Sequence, residues 1–321
     1  MLATGAWGPD DISDLTGRTV LVTGANTGIG YEAAIELAAH GAHVVLACRN
    51  LQKGRQAADR VIGYRPGASV EVLELDLSSL DAVRTAADRF ASEHDRLDVL
   101  INNAGVMGTP YLMSADGYEL QFATNHLGHF ALTGLLLDTL LTTSGSRVVT
   151  VSSHGHRQGH LDFSNLQFDH GGYTRSGAYA NSKLANLLFT YELERRLRAT
   201  DTTTIALAVH PGWTRSSLVA NGPTIGVSDR RSRLYRAFAR LGGQSTPRGA
   251  LPTLYAATSP DVRGGQYVGP GGLAQLYGPP VIVGSTRRSK RVHDAARLFE
   301  VSEVLTGIHY DFGVTDAAVP R

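Results

Sequence analysis

The twelve residues TVLVTGANTGIG, positions 19–30, decide the fold of this chain. The first five are apolar or β-branched, as in a buried strand, and the last seven contain three glycines. An alanine-rich helical pattern then runs from Tyr31 to His40. A strand that breaks into glycines and continues as a helix predicts the first unit of an α/β sheet.

The alternation of strand and helix continues along the chain. Further strands are predicted at residues 43–48, 70–73, 99–101, 147–151 and 204–209, and helices near 55–62, 82–93, 118–141, 178–198 and 247–258. Because helices rather than hairpin turns separate these runs, the strands should be parallel with right-handed crossovers. The predicted fold class is α/β, a single Rossmann-type doubly wound parallel sheet of about seven strands flanked by helices on both faces.

Composition and charge exclude several classes of partner. Thirty basic and 29 acidic residues leave a formal charge of +1, so no global field favours nucleic acid or an anionic membrane. The amino terminus has no signal-peptide pattern, and the longest apolar helix candidate, 127–141, is too short to span a bilayer. We therefore expect a cytoplasmic protein without stable membrane insertion. Its single cysteine, Cys48, cannot form an internal disulfide and is interpreted as a core residue.

The glycine turn predicts a dinucleotide site. Glycine permits the tight turn, lets backbone approach a pyrophosphate, and leaves the helix N–H groups facing anionic oxygens. The strand-turn-helix context makes this reading stronger than that of an ordinary glycine turn. The residues expected to contact the dinucleotide here are Gly24, Asn26, Thr27, Gly28, Ile29 and Gly30.

The end of the second strand indicates which dinucleotide is bound. An acid there would accept hydrogen bonds from a ribose 2′-hydroxyl, but this chain has Arg49-Asn50 after Cys48. The Arg49 guanidinium can hold a 2′-phosphate bidentately, so NADP(H) is favoured over NAD(H). The alternative is a solvated surface arginine, because the glycine loop itself contains no second basic residue. Lys53 and Arg55 are candidates for additional positive charge.

Two later strand ends should line the adenosine half of the same site. Asp76-Leu77 follows the third strand, and Asn103-Ala104-Gly105 follows the fourth. An Asp after a strand is often only a turn or a helix cap. The second string is less generic, because its amide can satisfy strand-end backbone while its small residues admit the cofactor.

A phenol and an ammonium group four residues apart suggest acid–base chemistry. Tyr179 and Lys183 lie near the start of a predicted helix, so both side chains emerge from one face. A tyrosine with a pKa of about 10 is mostly protonated at neutral pH, and a nearby ammonium should lower that pKa. By itself this spacing is a common accident on helix surfaces. Ser152-Ser153 gives it weight, because it ends the fifth strand at the same edge of the sheet.

Asn125 lies inside a predicted helix, where a buried amide is locally unfavourable, and such exceptions often mark function. With TGANTGIG, NNAG, Ser153, YANSK and the HPG string at 210–212, it makes the chain resemble the short-chain dehydrogenase/reductase family. The similarity extends from Thr19 to about Tyr310 and is close to retinol-dehydrogenase-like and protochlorophyllide-reductase-like members.

The resemblance implies a catalytic tetrad of Asn125, Ser153, Tyr179 and Lys183. Tyr179 would be the acid/base, Lys183 would also hold the nicotinamide ribose, and Asn125 would support a water-linked proton relay. Pro211, Gly212 and Thr214 would contact the nicotinamide end, although Thr214 and Ser216 depart from the usual residues there. The resemblance further implies a homo-oligomer that associates through the helices near 118–141 and 178–198.

We interpret residues 1–321 as one domain with a cofactor half at about 17–150 and a catalytic and substrate half at about 151–310. Residues 212–243 break the pattern and should form an insertion over the site. Within it, residues 229–241 read as a basic amphipathic helix, either a lid over a hydrophobic substrate or a membrane-surface contact.

No metal site is predicted at the histidines that lie close in sequence. His154, His156 and His160 form one group, and His126 and His129 form another. No cysteine or carboxylate completes a plausible set of ligands near either group, and hydride transfer needs no metal.

The predicted function is an NADP(H)-dependent oxidoreductase that moves a hydride between nicotinamide and an alcohol or carbonyl of a fairly apolar small molecule. One alternative is a reductase of activated carbon–carbon double bonds that uses the same tyrosine and lysine. Another is a protein that senses NADP(H) without turnover, although a pure binder has no need of the tyrosine.

Overall fold

The computed structural model describes residues 6–214 and 243–313. Within these ranges the chain forms an eight-stranded sheet in the order β3-β2-β1-β4-β5-β6-β7-β8. The strands are β1 (Thr19–Thr23), β2 (His43–Cys48), β3 (Val70–Glu74), β4 (Val99–Asn102), β5 (Arg147–Val151), β6 (Ile205–Val209), β7 (Tyr267–Pro270) and β8 (Pro280–Ile282). All neighbouring strands are parallel except β7 and β8, which pair antiparallel.

Helices cover both faces of this sheet. They are α1 (Gly28–Ala39), α2 (Leu51–Tyr64), α3 (Leu80–Glu93), α4 (Leu120–Phe122), α5 (Gly128–Leu135), α6 (Leu137–Thr142), α7 (Arg175–Leu197), α8 (Thr246–Thr258) and α9 (Val292–Thr306). Successive β1 residues point to opposite faces, so Leu21 packs with α3, α5, α6, α7 and α9, whereas Val20 and Val22 pack with α1, α2 and α8. The sheet is therefore buried on both sides, as a doubly wound fold requires.

The strand order reverses between β1 and β4. In open α/β sheets a crevice forms at this point, outside the carboxyl ends of the strands. The loops after β1, β2, β4 and β5 meet there.

The sequence predicted the first six strands to within about one residue. It missed β7 and β8, because runs of three or four residues rich in Gly and Pro carry almost no periodic signal. It also missed α9, which packs Leu298 and Phe299 into the core. In the described part of the chain no helix is both long and apolar enough to cross a bilayer. The predicted helix at 229–241 lies outside the described residues.

The single helix predicted at 118–141 is wrong, because the segment is divided into several turns. A π-helical turn at Ala123–Leu127 separates α4 from α5. A single non-helical residue, Leu136, separates α5 from α6. Asn125 lies in the π turn, where its side chain bonds to the backbone of Val106. Single π turns inside helices occur frequently at functional sites.

Gly134 of α5 provides a test of how tightly the last described segment packs. A Cβ atom at this position would lie 2.7 Å from side-chain atoms of both Ile308 and Tyr310. Tyr310 is buried and donates a hydrogen bond to the Phe130 carbonyl at 2.6 Å, so it has little room to move. We expect Gly134→Ala to lower the free energy of unfolding by about 1–3 kcal/mol, measured by urea denaturation.

Gly63 of α2 is the matched control for this substitution. A Cβ atom there would meet no atom within 4 Å. Gly63→Ala should therefore leave stability unchanged or raise it by up to about 1 kcal/mol, since alanine favours the helix. Equal effects of the two substitutions would contradict the packing assigned to Gly134.

Candidate active site

A cavity of about 600 Å³ opens at the carboxyl ends of the strands, between the glycine loop and the start of α7. The loops after β1, β2, β4, β5 and β6 all contribute to its wall. The predicted site residues that line it are Gly24, Asn26, Thr27, Gly28, Ile29, Arg49, Asn103, Ala104, Gly105, Ser153, Tyr179, Lys183, Pro211, Gly212 and Thr214.

The glycine loop needs glycine for two different reasons. Gly24 and Gly28 have φ angles of +67° and +63°, in the left-handed region where a side chain causes strain. Gly30 is required for space, because a Cβ atom would collide with the Asn103 amide. The third glycine thus stands behind the cavity wall and allows the β4 loop to approach the first helix.

The hydroxyl of Thr23 joins this loop to the loop after β4. Its oxygen accepts hydrogen bonds from the backbone N–H groups of Asn103 and Ala104, both at 2.9 Å. The Asn103 side chain in turn donates to the Thr23 carbonyl at 2.7 Å. Thr23 is fully buried, so these bonds are shielded from water and fix the two loops against each other.

The amino end of α1 fits an anionic group. The caps of α2, α3 and α7 are Asn50, Ser79 and Thr174, and the side chain of each accepts a backbone N–H. Thr27, the cap of α1, makes no such bond. The first N–H groups of α1 are therefore available as hydrogen-bond donors, at the positive end of the helix, for a phosphate. With the glycine cradle, this arrangement fits a nicotinamide dinucleotide.

Two arginines bring positive charge to this end of the cavity. Arg49 lies in its wall directly after β2. Arg60 of α2 stacks its guanidinium 4.7 Å from the centre of the Tyr31 ring and donates to the Asn26 carbonyl at 3.3 Å. The sequence analysis did not find Arg60, because only the packing of α2 against α1 brings it to the glycine loop.

The two serines after β5 have different surroundings. Ser152 is buried and donates its hydroxyl hydrogen to the Lys183 carbonyl at 2.7 Å, which anchors α7 to the sheet. Ser153 lines the same cavity wall as Tyr179, and its hydroxyl accepts the Gly155 N–H at 3.1 Å. The structure therefore brings Ser153, rather than Ser152, to the tyrosine.

The electrostatics of Tyr179 differ from the expectation. Burial raises the pKa of the phenol, and the nearby Ser153 hydroxyl offsets this only in part, so Tyr179 is protonated at neutral pH. Lys183 lies with its Nζ 5.9 Å from the centre of the tyrosine ring and donates to the Val151 carbonyl at 2.9 Å. Burial lowers the pKa of Lys183 to about 8, which still leaves the ammonium form in excess at pH 7. The expected lowering of the phenol pKa is thus outweighed by desolvation.

Asn125 lies behind the cavity rather than in its wall. Its amide accepts the Val106 N–H at 2.7 Å and donates to the Val106 carbonyl and the Ser182 hydroxyl, both at 2.9 Å. Its own carbonyl faces His129 Nδ1 at 3.0 Å, and His129 Nε2 lies 2.9 Å from the Thr23 hydroxyl. Asn125 therefore ties the β4 loop, α7 and the glycine loop together.

Several predicted cofactor residues do not line the cavity. Asn50 caps α2 by accepting the Lys53 N–H. Asp76 accepts both the backbone N–H and the hydroxyl of Ser78, which makes it a turn residue. Leu77 is buried, and its carbonyl lies against Gly128. For Asn50 and Asp76 the structure shows the capping and turn roles that such residues ordinarily have.

Other cavity residues were missed by the sequence analysis. They are Val106, Met107, Thr109, Val151, His154, Trp213 and Leu276. The first three directly continue the NNAG string, so extending that motif along the chain would have found them. Leu276 comes from the loop between β7 and β8, which gave no readable signal.

Hydrogen bonds join the residues directly after β6 to Gln244 at the cavity rim. Gln244 donates its backbone N–H to the Trp213 carbonyl at 2.8 Å and its side-chain amide to the Pro211 carbonyl at 2.7 Å. Thr214 also donates to the Pro211 carbonyl, at 2.8 Å. The described residues on either side of 215–242 are therefore held together.

The histidines that lie close together in sequence have separate surroundings in the structure. His126 and His129 are core residues, and His126 Nε2 lies 2.9 Å from the Ser302 hydroxyl. His156 Nδ1 lies 2.6 Å from the Ser153 carbonyl and supports the turn after β5. His154 packs near His210, whereas His160 is exposed.

Comparisons with known proteins agree with this geometry. A family model described as short chain dehydrogenase matches residues 18–223. Retinol dehydrogenase 12 of Mus musculus is 41% identical over 299 residues, which is 92% of this chain and 89% of the relative. A crystal structure of a protein from Mycobacterium Paratuberculosis has a TM-score of 0.78 at 40% identity and covers 96% of this chain and 100% of its own.

A short chain dehydrogenase from Escherichia coli CFT073 complexed with NADPH has a lower TM-score of 0.60 at 27% identity. It covers 79% of this chain and 97% of its own. The similarity therefore includes a neighbour that was solved with a nicotinamide cofactor.

Proposed function

Because this chain belongs to the short-chain dehydrogenase family, we propose that it is an NADP(H)-dependent oxidoreductase that interconverts an alcohol and a carbonyl on a fairly apolar small molecule. The observation that carries the proposal is the placement of Ser153, Tyr179 and Lys183 in the wall of the same cavity as the glycine loop and Arg49. A dinucleotide held by the loop and a substrate oxygen held by Ser153 and Tyr179 would share one enclosed space.

The dinucleotide, when bound, supplies or accepts the hydride, and the chain supplies the proton. In the reductive direction the protonated Tyr179 donates its hydroxyl hydrogen to the substrate oxygen, while Ser153 donates a second hydrogen bond to that oxygen. Positive charge on Lys183 then stabilises the phenolate that remains. In the oxidative direction the same groups act in reverse.

Tyr179 starts in the protonated form that the reductive direction requires. A buried phenol whose pKa is raised is a proton donor at neutral pH without further change. For oxidation the phenol must first lose its proton in a buried site, which costs about 1.4 kcal/mol per unit of raised pKa. NADPH as the cofactor is consistent with this direction, because cells keep it mostly reduced.

Apolar side chains form the part of the cavity that is left for a substrate. Val106, Met107, Trp213 and Leu276 lie in its wall, and the Trp213 side chain is 53% exposed. An apolar aldehyde or ketone would cover this surface, and the retinol dehydrogenase among the relatives is named for an apolar alcohol. We propose this substrate class for the chain.

The function is tested by incubating the purified chain with NADPH and a series of aldehydes and ketones of increasing apolar length. We expect NADPH oxidation, the corresponding alcohol as product, and kcat/KM values that rise with apolar length. Product analysis by mass spectrometry separates carbonyl reduction from reduction of a carbon–carbon double bond. Tight NADPH binding without oxidation across the whole series would instead support a cofactor sensor.

Arg49 should decide the choice between NADPH and NADH. A charge-assisted hydrogen bond contributes about 1.5–3 kcal/mol, so we expect Arg49→Met to raise KM for NADPH about 10- to 100-fold. KM for NADH should change little, because NADH has no 2′-phosphate. Initial rates with both cofactors give the ratio directly.

Arg89→Met is the control for this substitution, since Arg89 pairs with Glu93 on the surface of α3 and lies outside the cavity wall. Equal changes in KM for NADPH and NADH in the Arg49 variant would show that the guanidinium does not recognise the phosphate.

Cytoplasmic location and assembly into a homo-oligomer stay predictions from the sequence. Light scattering on the purified chain tests the second. Fractionation of cells that express the chain tests the first.

A further inference from the structure

Three metal-ligating side chains meet at the end of the sheet opposite the cavity. His43 is the first residue of β2, Glu71 is the second residue of β3, and His94 directly follows α3. Each offers one ligand atom, and these atoms all lie within 4.8 Å of one another. Among the residues that the structure describes, no other group of three His, Cys, Asp or Glu side chains meets this condition.

The distances suit coordination of one ion. Glu71 Oε1 lies 2.8 Å from His94 Nε2, and Glu71 Oε2 lies 3.8 Å from His43 Nε2. Ligands about 2.0–2.2 Å from a tetrahedral zinc ion lie about 3.4 Å apart, which falls between these two values. The three ligand atoms lie within 4.8 Å of one another, so small side-chain rotations would bring them to this spacing.

A hydrogen bond orients one of the rings for this purpose. His43 Nδ1 lies 2.7 Å from the Ser69 hydroxyl, whereas His43 Nε2 is buried and has no hydrogen-bond partner. Metal-binding histidines commonly use one ring nitrogen for such a bond and the other for the metal. An ordinary ion pair between His94 and Glu71 would explain the 2.8 Å contact but would leave His43 Nε2 unpaired at a cost in stability.

We propose that His43, Glu71 and His94 form a zinc site that joins β2, β3 and the end of α3. Two imidazoles and one carboxylate favour Zn²⁺ over the hard ions Ca²⁺ and Mg²⁺, which prefer oxygen ligands. Three protein ligands leave one position for water or another donor. The three side chains are between 13% and 32% exposed, so an ion can enter from solvent.

The site is separate from the proposed catalytic groups. The cavity lies at the carboxyl ends of the strands, whereas His43 and Glu71 lie at the amino ends of β2 and β3. The proposal therefore stands on its own geometry and does not depend on the oxidoreductase assignment. Its expected consequence is a higher melting temperature, because an ion that binds only the folded chain stabilises it by mass action.

The test is a titration of the metal-free full-length chain with Zn²⁺ by calorimetry. We expect one equivalent to bind, and Glu71→Gln and His43→Gln each to weaken that binding by at least about 100-fold. Loss of an outer partner alone typically costs about 10- to 100-fold, so Ser69→Ala should have a smaller effect. His309→Gln removes an exposed histidine away from the cluster and should leave the affinity unchanged.

A second measurement guards against variants that bind poorly because they are misfolded. Co²⁺ in place of Zn²⁺ should give visible absorption bands of a tetrahedral nitrogen–oxygen site in the wild-type chain, and these should be absent in folded Glu71→Gln. Circular dichroism establishes that the variant is folded. No stoichiometric Zn²⁺ binding, or equal affinity in wild type, Glu71→Gln and His43→Gln, would overturn the proposal.

Discussion

Replacing Tyr179 with Phe is expected to lower kcat/KM for carbonyl reduction by about 10²- to 10⁴-fold, the usual contribution of a positioned general acid. The substitution removes one oxygen and leaves the ring in place. Ser153 can still hold the substrate oxygen, but no group of the right kind then delivers the proton. The measurement is steady-state oxidation of NADPH with the best substrate of the series.

Two controls separate lost chemistry from lost structure. NADPH affinity, followed by its fluorescence, should be nearly unchanged, since the glycine loop and Arg49 are untouched. Tyr191→Phe loses a hydroxyl from the same helix, where it lies 2.8 Å from Ser285, and should keep most of the activity. A Tyr179→Phe enzyme with more than a tenth of the wild-type kcat/KM would remove the tyrosine from the mechanism.

Acid should destabilise this protein well before its carboxyl groups are protonated. Burial lowers the pKa of His126, His129 and His210 to about 3 in the folded chain, whereas unfolding returns each to its ordinary pKa of about 6.5. Between these two pH values the unfolded chain binds more protons. The free energy of unfolding must therefore fall as the pH is lowered, by up to about 1.4 kcal/mol per pH unit for each histidine.

At pH 5 the three residues together should cost roughly 6 kcal/mol, which is comparable to the total stability of many domains. Urea denaturation at pH 7.5, 6 and 5 measures the slope. His126→Phe keeps an aromatic ring beside Phe122 and Phe130 and should reduce that slope by up to about 1.4 kcal/mol per pH unit. The exposed His293 is the control, and His293→Gln should leave the slope as it is.

The sheet could be predicted because its strands carry a strong local signal. Five of the first six are mostly apolar runs bounded by turn residues, as burial on both faces requires, whereas the edge strand β3 alternates with glutamates. The π turn at Asn125 could not be predicted, because it depends on bonds to Val106, a residue 19 positions earlier. The spacing of apolar residues along the sequence carries information about local structure only, and not about contacts between distant segments.

In the candidate site, too, local motifs could be predicted, whereas features that depend on distant segments could not. Motifs predicted that Ser153, Tyr179 and Lys183 would lie together, because strand ends and helix starts meet at one edge of the sheet. They did not predict that burial raises the phenol pKa, since sequence indicates which charges are near but not how much water is excluded. The cluster of His43, Glu71 and His94 escaped notice because its members come from three separate segments.

The bonds that join Gln244 to Pro211 and Trp213 have an evolutionary consequence. They join the described residues at the two ends of the stretch 215–242, so the scaffold is held together where that stretch leaves it and returns. Lengthening such a stretch adds only about 0.6 kcal/mol of closure entropy per doubling. Insertions in that stretch should therefore be tolerated at little cost in folding free energy as the sequence diverges.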